Sequence, residues 1–267
     1  MSVELNHRIT GEGAPLILLH GLFGSLENLG GIARRLQDEW QIHALDQRNH
    51  GSSPHTETMD YPAMAADVIA YMDARGIDKA SLLGHSMGGK VAMQVALQAP
   101  ARVSRLIVAD IAPVSYTPRH DAILEGLKGI DLTRVASRQD ADGLLAEFVE
   151  TLPTRQFLLK NLERIPSDAQ TDSGPRFRWR LNLPVIDACY GNLAKAPEGD
   201  VPFGGPVLFL KGADSAYIQE KHREQIQWLF PAAQLRIIQD TGHWLHAEKA
   251  DTFAALCRRF LAEDPRS

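Results

Sequence analysis

The stretch Ser81-Leu82-Leu83-Gly84-His85-Ser86-Met87-Gly88-Gly89-Lys90 constrains the fold more than any other part of the chain. A short apolar strand runs into Gly-x-Ser-x-Gly and continues at once as a helical pattern, so the chain must pass from strand to helix within two residues. So tight a turn strains its central residue, Ser86, and holds the side chain out in the open, as a nucleophile requires. Gly84 and Gly88 belong to the same turn, because a Cβ at either would meet the neighbouring strand or helix. Met87 opens the helix and offers a backbone N–H at a terminus that favours negative charge. Gly-x-Ser-x-Gly also occurs in ordinary turns, so the rest of the pattern has to decide.

That pattern alternates strands and helices. Val3 to Thr10 alternates apolar and polar residues like an edge strand, and Leu16-Ile17-Leu18-Leu19 is the continuous apolar run of a strand buried on both faces. Helical spacing follows from Leu29 to Trp40, then a strand at Ile42-His43-Ala44-Leu45 and a helix from Pro62 to Arg75 closed by Gly76. Met87 to Ala99 reads as a buried helix, and Leu106-Ile107-Val108-Ala109 as a strand. After Pro206 the pattern returns with a strand through Leu210, a helix over Gln219–Phe230, a strand at Gln234–Ile238 and a final helix from Ala247 to Leu261. This order predicts an α/β fold with a mainly parallel central sheet flanked by helices. Functional groups then belong at the carboxyl ends of the strands, where His20, Ser86 and Asp110 all fall. His243, in the loop before the last helix, is placed to reach Ser86.

Between Tyr116 and Pro202 the strand signal fades into short helical faces interrupted by prolines. The chain therefore divides into a core, 1–115 with 203–267, and a helical cap insertion, 116–202. Within the cap, Arg176-Phe177-Arg178-Trp179-Arg180 interleaves cations and aromatics. It fits either a site for an anionic part of the substrate, with Arg178 and Trp179 in contact, or a solvated charged edge whose aromatics pack inward.

His20-Gly21-Leu22-Phe23-Gly24 follows the buried strand where such a sheet carries a second oxyanion donor. The backbone N–H of Leu22 is the expected donor, with Phe23 the alternative. His20 reads as a core histidine bracing the loop, and Asp46 to Pro54 as a loop fixed by its own polar groups. The net charge of −5 gives no electrostatic case for nucleic acid. No apolar run reaches the length of a signal peptide or membrane span, which predicts a cytoplasmic chain, monomer or homodimer, acting on a small molecule. Cys189 and Cys257, the two cysteines, read as reduced thiols, and His246 has no partners at metal-ligand spacing.

Taken together, these glycine, serine, Asp110-Ile111-Ala112-Pro113-Val114 and Gly242-His243-Trp244-Leu245-His246-Ala247-Glu248 segments resemble the α/β-hydrolase superfamily, in particular its small bacterial esterases of the YbfF type. The resemblance implies a Ser-acid-His hydrolase of carboxylic esters or acyl-CoA thioesters, without cofactor. Most superfamily members carry the acid three residues after the glycine of the penultimate strand, where this chain has Ser215. Two carboxylates are in reach, Asp214 and Asp110, and the YbfF-type resemblance favours Asp110. The implied mechanism is attack by Ser86 with His243 as proton carrier, Asp110 holding the imidazole, and Leu22 and Met87 N–H groups binding the oxyanion. Phe23, His85, Arg178 and Trp179 are the expected substrate contacts, and the pocket suits short to medium acyl chains. Two alternatives share the fold: another chemistry, such as carbon–carbon bond hydrolysis or perhydrolysis, and a non-catalytic ligand-binding protein.

Overall fold

A computed structural model describes residues 1–166, 168 and 174–263. The chain begins with β1 (His7–Thr10), β2 (Ala14–Leu19), α1 (Gly30–Leu36) and β3 (Trp40–Leu45). It continues through α2 (Tyr61–Ala74), β4 (Ala80–His85), α3 (Met87–Gln98) and β5 (Val103–Ala109). The long connection that follows contains α4 (Asp121–Gly129), α5 (Arg138–Leu145) and α6 (Leu152–Leu159). A strand pair, β6 (Leu162–Arg164) and β7 (Phe177–Trp179), comes next, then α7 (Leu183–Ala188) and α8 (Tyr190–Ala194). The sheet resumes with β8 (Val207–Gly212), α9 (Arg223–Leu229) and β9 (Ala233–Ile238), and the chain closes on α10 (Leu245–Glu248) and α11 (Ala250–Ala262).

Seven strands form one sheet in the order β1-β3-β2-β4-β5-β8-β9, parallel except for β1, which pairs antiparallel with β3 at the edge. The continuous apolar runs are explained by the two-residue period of a strand, because both faces are covered. Ile17, Leu19, Leu82 and Val108 enter one core with α2, α3 and much of the long connection. Leu16, Leu18, Leu83 and Ile107 enter the other, against α1 and α11. Asp60 caps α2 by accepting the Ala63 N–H at 2.8 Å.

Three expectations shift. The helix read from Leu29 to Trp40 stops at Leu36, and Trp40 instead opens β3 in register with Ala14. The last helix is interrupted at Lys249, whose non-helical backbone (φ −133°, ψ 59°) separates α10 from α11. The segment expected to be helical also carries the β6–β7 pair, with Leu162 opposite Trp179. Among the described residues no helix is long and apolar enough to cross a membrane.

Candidate active site

Ser86 sits between β4 and α3 at φ 54° and ψ −121°, the strained turn expected from Gly-x-Ser-x-Gly. The two glycines are needed for contact reasons: a Cβ on Gly84 would lie 2.1 Å from the Gly88 carbonyl oxygen, and one on Gly88 would lie 2.2 Å from the Leu19 carbonyl oxygen. The Ser86 N–H donates to the Ala109 carbonyl at 2.9 Å, which ties the turn to the end of β5. Among the described residues five non-glycine residues have positive φ, Phe23, Asn49, Ser86, Asp110 and Asp240, and each lies within four residues of the carboxyl end of a strand of this sheet. Strain of this kind persists only where the surroundings enforce it, and it gathers at functional sites.

Asp110 follows β5, is fully buried, and meets three donors. His243 Nδ1 lies 2.8 Å from its Oδ2, the Gly212 N–H donates to Oδ1 at 3.1 Å, and the Ser215 hydroxyl donates to Oδ2. Asp214, the other candidate acid, is exposed, and its backbone N–H is bonded to Thr241. Ser215, standing where most of the superfamily has its acid, thus supports the carboxylate that the neighbouring strand supplies. The His243 ring stacks on Tyr217 with centroids 4.1 Å apart and lies 4.7 Å from the His85 ring. His85 Nε2 donates to the His243 carbonyl at 2.8 Å, so this side chain fixes the histidine loop. Burial, with the nearby His246 and His243 rings adding to it, holds His85 well below the ordinary histidine range. His246 behind it is pulled down to about 4, chiefly by burial.

Near the end of β2 the Phe23 N–H donates to His50 Nε2 at 3.2 Å, and the Phe23 carbonyl accepts from Asn161 Nδ2 at 2.7 Å. The Phe23 N–H is therefore engaged, whereas the Leu22 N–H beside it has no acceptor among the described residues. Met87 occupies the first position of α3, where an N–H has no partner within the helix. His20 braces the loop as expected, its Nδ1 donating to the Gly21 carbonyl at 2.8 Å and its Nε2 accepting the Gln47 N–H at 3.0 Å. The 46–54 loop is held by Asp46, which accepts from the Leu26 and Ser52 N–H groups, and by the buried Arg48–Asp67 pair at 2.6 Å.

A strained serine after the central strand, a buried carboxylate after the next, and a histidine held against it from the last loop are a distinctive combination. The family described as alpha/beta hydrolase fold matches residues 14–250. The chain belongs to this family. It is 39% identical to the protein named Esterase YbfF of Escherichia coli (strain K12) over 254 residues, 94% of each chain. It is 42% identical to a Xenopus laevis protein named sn-1-specific diacylglycerol lipase ABHD11, over 92% of this chain and 79% of that one. A solved structure described as a marine microorganism esterase superposes with a TM-score of 0.92 at 39% identity, covering 97% of this chain and all of that one. The YbfF-type resemblance carried by the motifs is thereby borne out.

Two cavities of this α/β-hydrolase meet at Leu22, Ser86 and His120. The narrower, about 60 Å³, runs between Met87, Tyr61, Tyr116 and Tyr217 to the buried Lys90. The wider, about 420 Å³, is lined by Phe23, His85, Phe157, His243 and Trp244. Of the expected substrate contacts, Phe23 and His85 line this wider cavity. Arg178 and Trp179 line neither of these two cavities. Arg178 is exposed and ion-paired with Glu163 at 2.8 Å, and Phe177 packs inward beside the half-buried Trp179. The alternating spacing follows from the short β7, whose side chains point to opposite faces. Lys90 was missed by sequence reasoning, although its position four residues after Ser86, on the same helix face, was the available signal. Desolvation lowers its ammonium to about 7.

Proposed function

We propose that this carboxylesterase-type α/β-hydrolase transfers an acyl group from an ester first to Ser86 and then to water. The contact that carries the reading is His243 Nδ1 against Asp110 Oδ2 at 2.8 Å. A carboxylate only accepts hydrogen bonds, so it holds the proton on Nδ1 and leaves Nε2 as the basic nitrogen. Nε2 takes the Ser86 proton as Oγ attacks the ester carbonyl, and the Leu22 and Met87 N–H groups bind the resulting oxyanion. The same nitrogen then gives its proton to the leaving oxygen. Water attacks the acyl-enzyme by the reverse sequence, releasing the acid and the free Ser86.

The general acid must reach the leaving group, and His243 lines only the wider cavity. The alcohol side of the substrate therefore belongs there, among Phe157, Trp244 and Phe23, and the acyl side in the narrow cavity. The limited room of the narrow cavity supports short acyl groups. A thiol leaving group such as coenzyme A follows the same path through the wider cavity. We read residues 116–202 as the cap that roofs both cavities, and 1–115 with 203–267 as the core, an arrangement supported by Asn161 bonding to Phe23 and Tyr61 to the Leu193 carbonyl.

Initial rates on p-nitrophenyl esters from acetate to decanoate, with matched acyl-CoA thioesters beside them, test the proposal. The expected result is a rate that peaks at short chains and falls on the order of 10⁴-fold or more in Ser86→Ala. Activity retained in folded Ser86→Ala would overturn it.

A further inference from the structure

His120 has no role in the chemistry above, yet with Leu22 and Ser86 it lines both cavities. It is half-buried and immediately precedes α4, where the Leu124 N–H donates to its carbonyl at 2.9 Å and fixes its backbone. Its ring stands edge-on to those of Phe23 and Tyr190, with centroids 6.0 Å and 5.8 Å away. The Tyr190 hydroxyl meets three groups of this segment: the Arg119 and His120 N–H groups donate to it, each at 2.9 Å, and His120 Nδ1 lies 2.6 Å away. A phenol oxygen accepts two hydrogen bonds and donates one. Both backbone groups can only donate, so they take the two lone pairs, and the Tyr190 proton goes to His120 Nδ1. Burial, with the nearby His243 adding to it, lowers His120 from the ordinary histidine value, so the ring is neutral and carries one proton. That proton is therefore on Nε2. Among the described residues Nε2 meets no acceptor, and it is open to the cavities rather than sealed in the interior.

An ester held at Ser86 has two oxygens. The carbonyl oxygen goes to the Leu22 and Met87 N–H groups in the acyl transfer proposed above, on which this inference rests. The bridging oxygen lies where the acyl and alcohol sides meet, and the two cavities join at Ser86 and His120. We propose that His120 contacts the substrate there, its Nε2–H donating to the bridging oxygen, and that it thereby selects esters of alkyl alcohols over thioesters. As the bond from the carbonyl carbon to this oxygen breaks, the electron pair stays on the oxygen. The proton that the departing alcohol takes up comes from His243 Nε2, and His120 keeps its own. The hydrogen bond strengthens as negative charge builds on the oxygen, whereas a sulfur in the same place is a weak acceptor. Tyr190 is a positioning residue, acting only through the tautomer it imposes on His120.

The test compares kcat/KM for ethyl butyrate and S-ethyl thiobutyrate in the wild type, His120→Phe, His120→Gln and Tyr190→Phe. Both substrates form the same butyryl-enzyme, and kcat/KM reports the steps up to its formation, so the ratio isolates the leaving atom. In His120→Phe the ratio of oxygen ester to thioester is expected to fall about ten- to a hundredfold. His120→Gln, which keeps an N–H donor, should restore part of the ratio, and Tyr190→Phe should lose part of it. An equal loss on both substrates means that His120 only shapes the cavity and overturns the inference, as does an unchanged ratio. ¹⁵N-imidazole NMR of the wild-type enzyme gives a reading that needs no variant to fold: His120 is expected to be protonated at Nε2, and protonation at Nδ1 instead overturns the inference while leaving the Ser86 reading standing. A wild-type enzyme that cleaves no ester removes the Ser86 reading and the inference together.

Discussion

Replacing Asp110 by asparagine changes the hydrogen-bond character at the centre of the site while keeping its shape. Asparagine tolerates the φ of 52° found here, so the backbone has no reason to move. All three groups facing the carboxylate are donors: Gly212 N–H, the Ser215 hydroxyl and His243 Nδ1. An amide has one oxygen and must turn its NH₂ toward one side. Turned to Gly212 it would oppose a backbone donor that cannot reverse, at about 1–3 kcal/mol. Turned the other way it meets Ser215, which can rotate to accept, and His243, which must give up its Nδ1 proton. The proton then resides on Nε2 and the ring can no longer take one from Ser86. The expected loss in kcat is on the order of 10³ to 10⁴, or roughly 4–5.5 kcal/mol of transition-state stabilisation, with little change in thermal stability. Steady-state rates on p-nitrophenyl butyrate, with circular dichroism melts of the same preparations, measure both quantities. Asp110→Asn within tenfold of wild type, or an equal loss in Asp214→Asn, would refute the reasoning.

Gly84→Ala should destabilise the fold by about 3 kcal/mol or more in urea titrations, because its Cβ would lie 2.1 Å from a backbone oxygen that has no room to retreat. His85→Leu removes the donor to the His243 carbonyl, and kcat should fall about tenfold with a smaller change in KM; equal stability and unchanged kcat would rule out the positioning role. Burial holds His50 to about 3 and His246 to about 4, against 6.5 for an ordinary histidine. Below pH 6.5 the unfolded chain takes up protons that these folded residues refuse. Their contribution is complete above that value and is lost as pH falls toward 4, by roughly 1.4 kcal/mol per pH unit for each histidine. The urea midpoint should therefore drop between pH 7 and pH 5, and the drop should shrink in His246→Leu; equal midpoints at the two pH values would refute it.

Much of this was legible in the chain because backbone sterics and burial leave local marks. The doubly buried strands read as unbroken apolar runs, and Gly84, Ser86 and Gly88 read as a strained turn because nothing larger fits. Contacts between distant strand ends leave no such mark. Spacing alone left Asp110 and Asp214 both open, since the difference lies in Ser215 and Gly212 donating across from β8 to a carboxylate that follows β5. Arg178 and Trp179 looked like neighbours of one ligand because they adjoin in sequence, but a strand turns adjacent side chains to opposite faces. The exposed Arg178 found Glu163 instead. Lys90 was obscured for a different reason. A lysine in a helix is usually solvated, and only the packed rings of Tyr61 and Tyr116, remote in sequence, reveal that this one is enclosed.

The claim that Ser86 is the acyl carrier is tested most directly by labelling with a fluorophosphonate, followed by intact mass and peptide mapping. The account predicts a single adduct on Ser86, formed rapidly in the wild-type enzyme and strongly slowed in His243→Ala. An adduct on another residue, or an ester-cleaving protein whose Ser86 stays unlabelled, would contradict it.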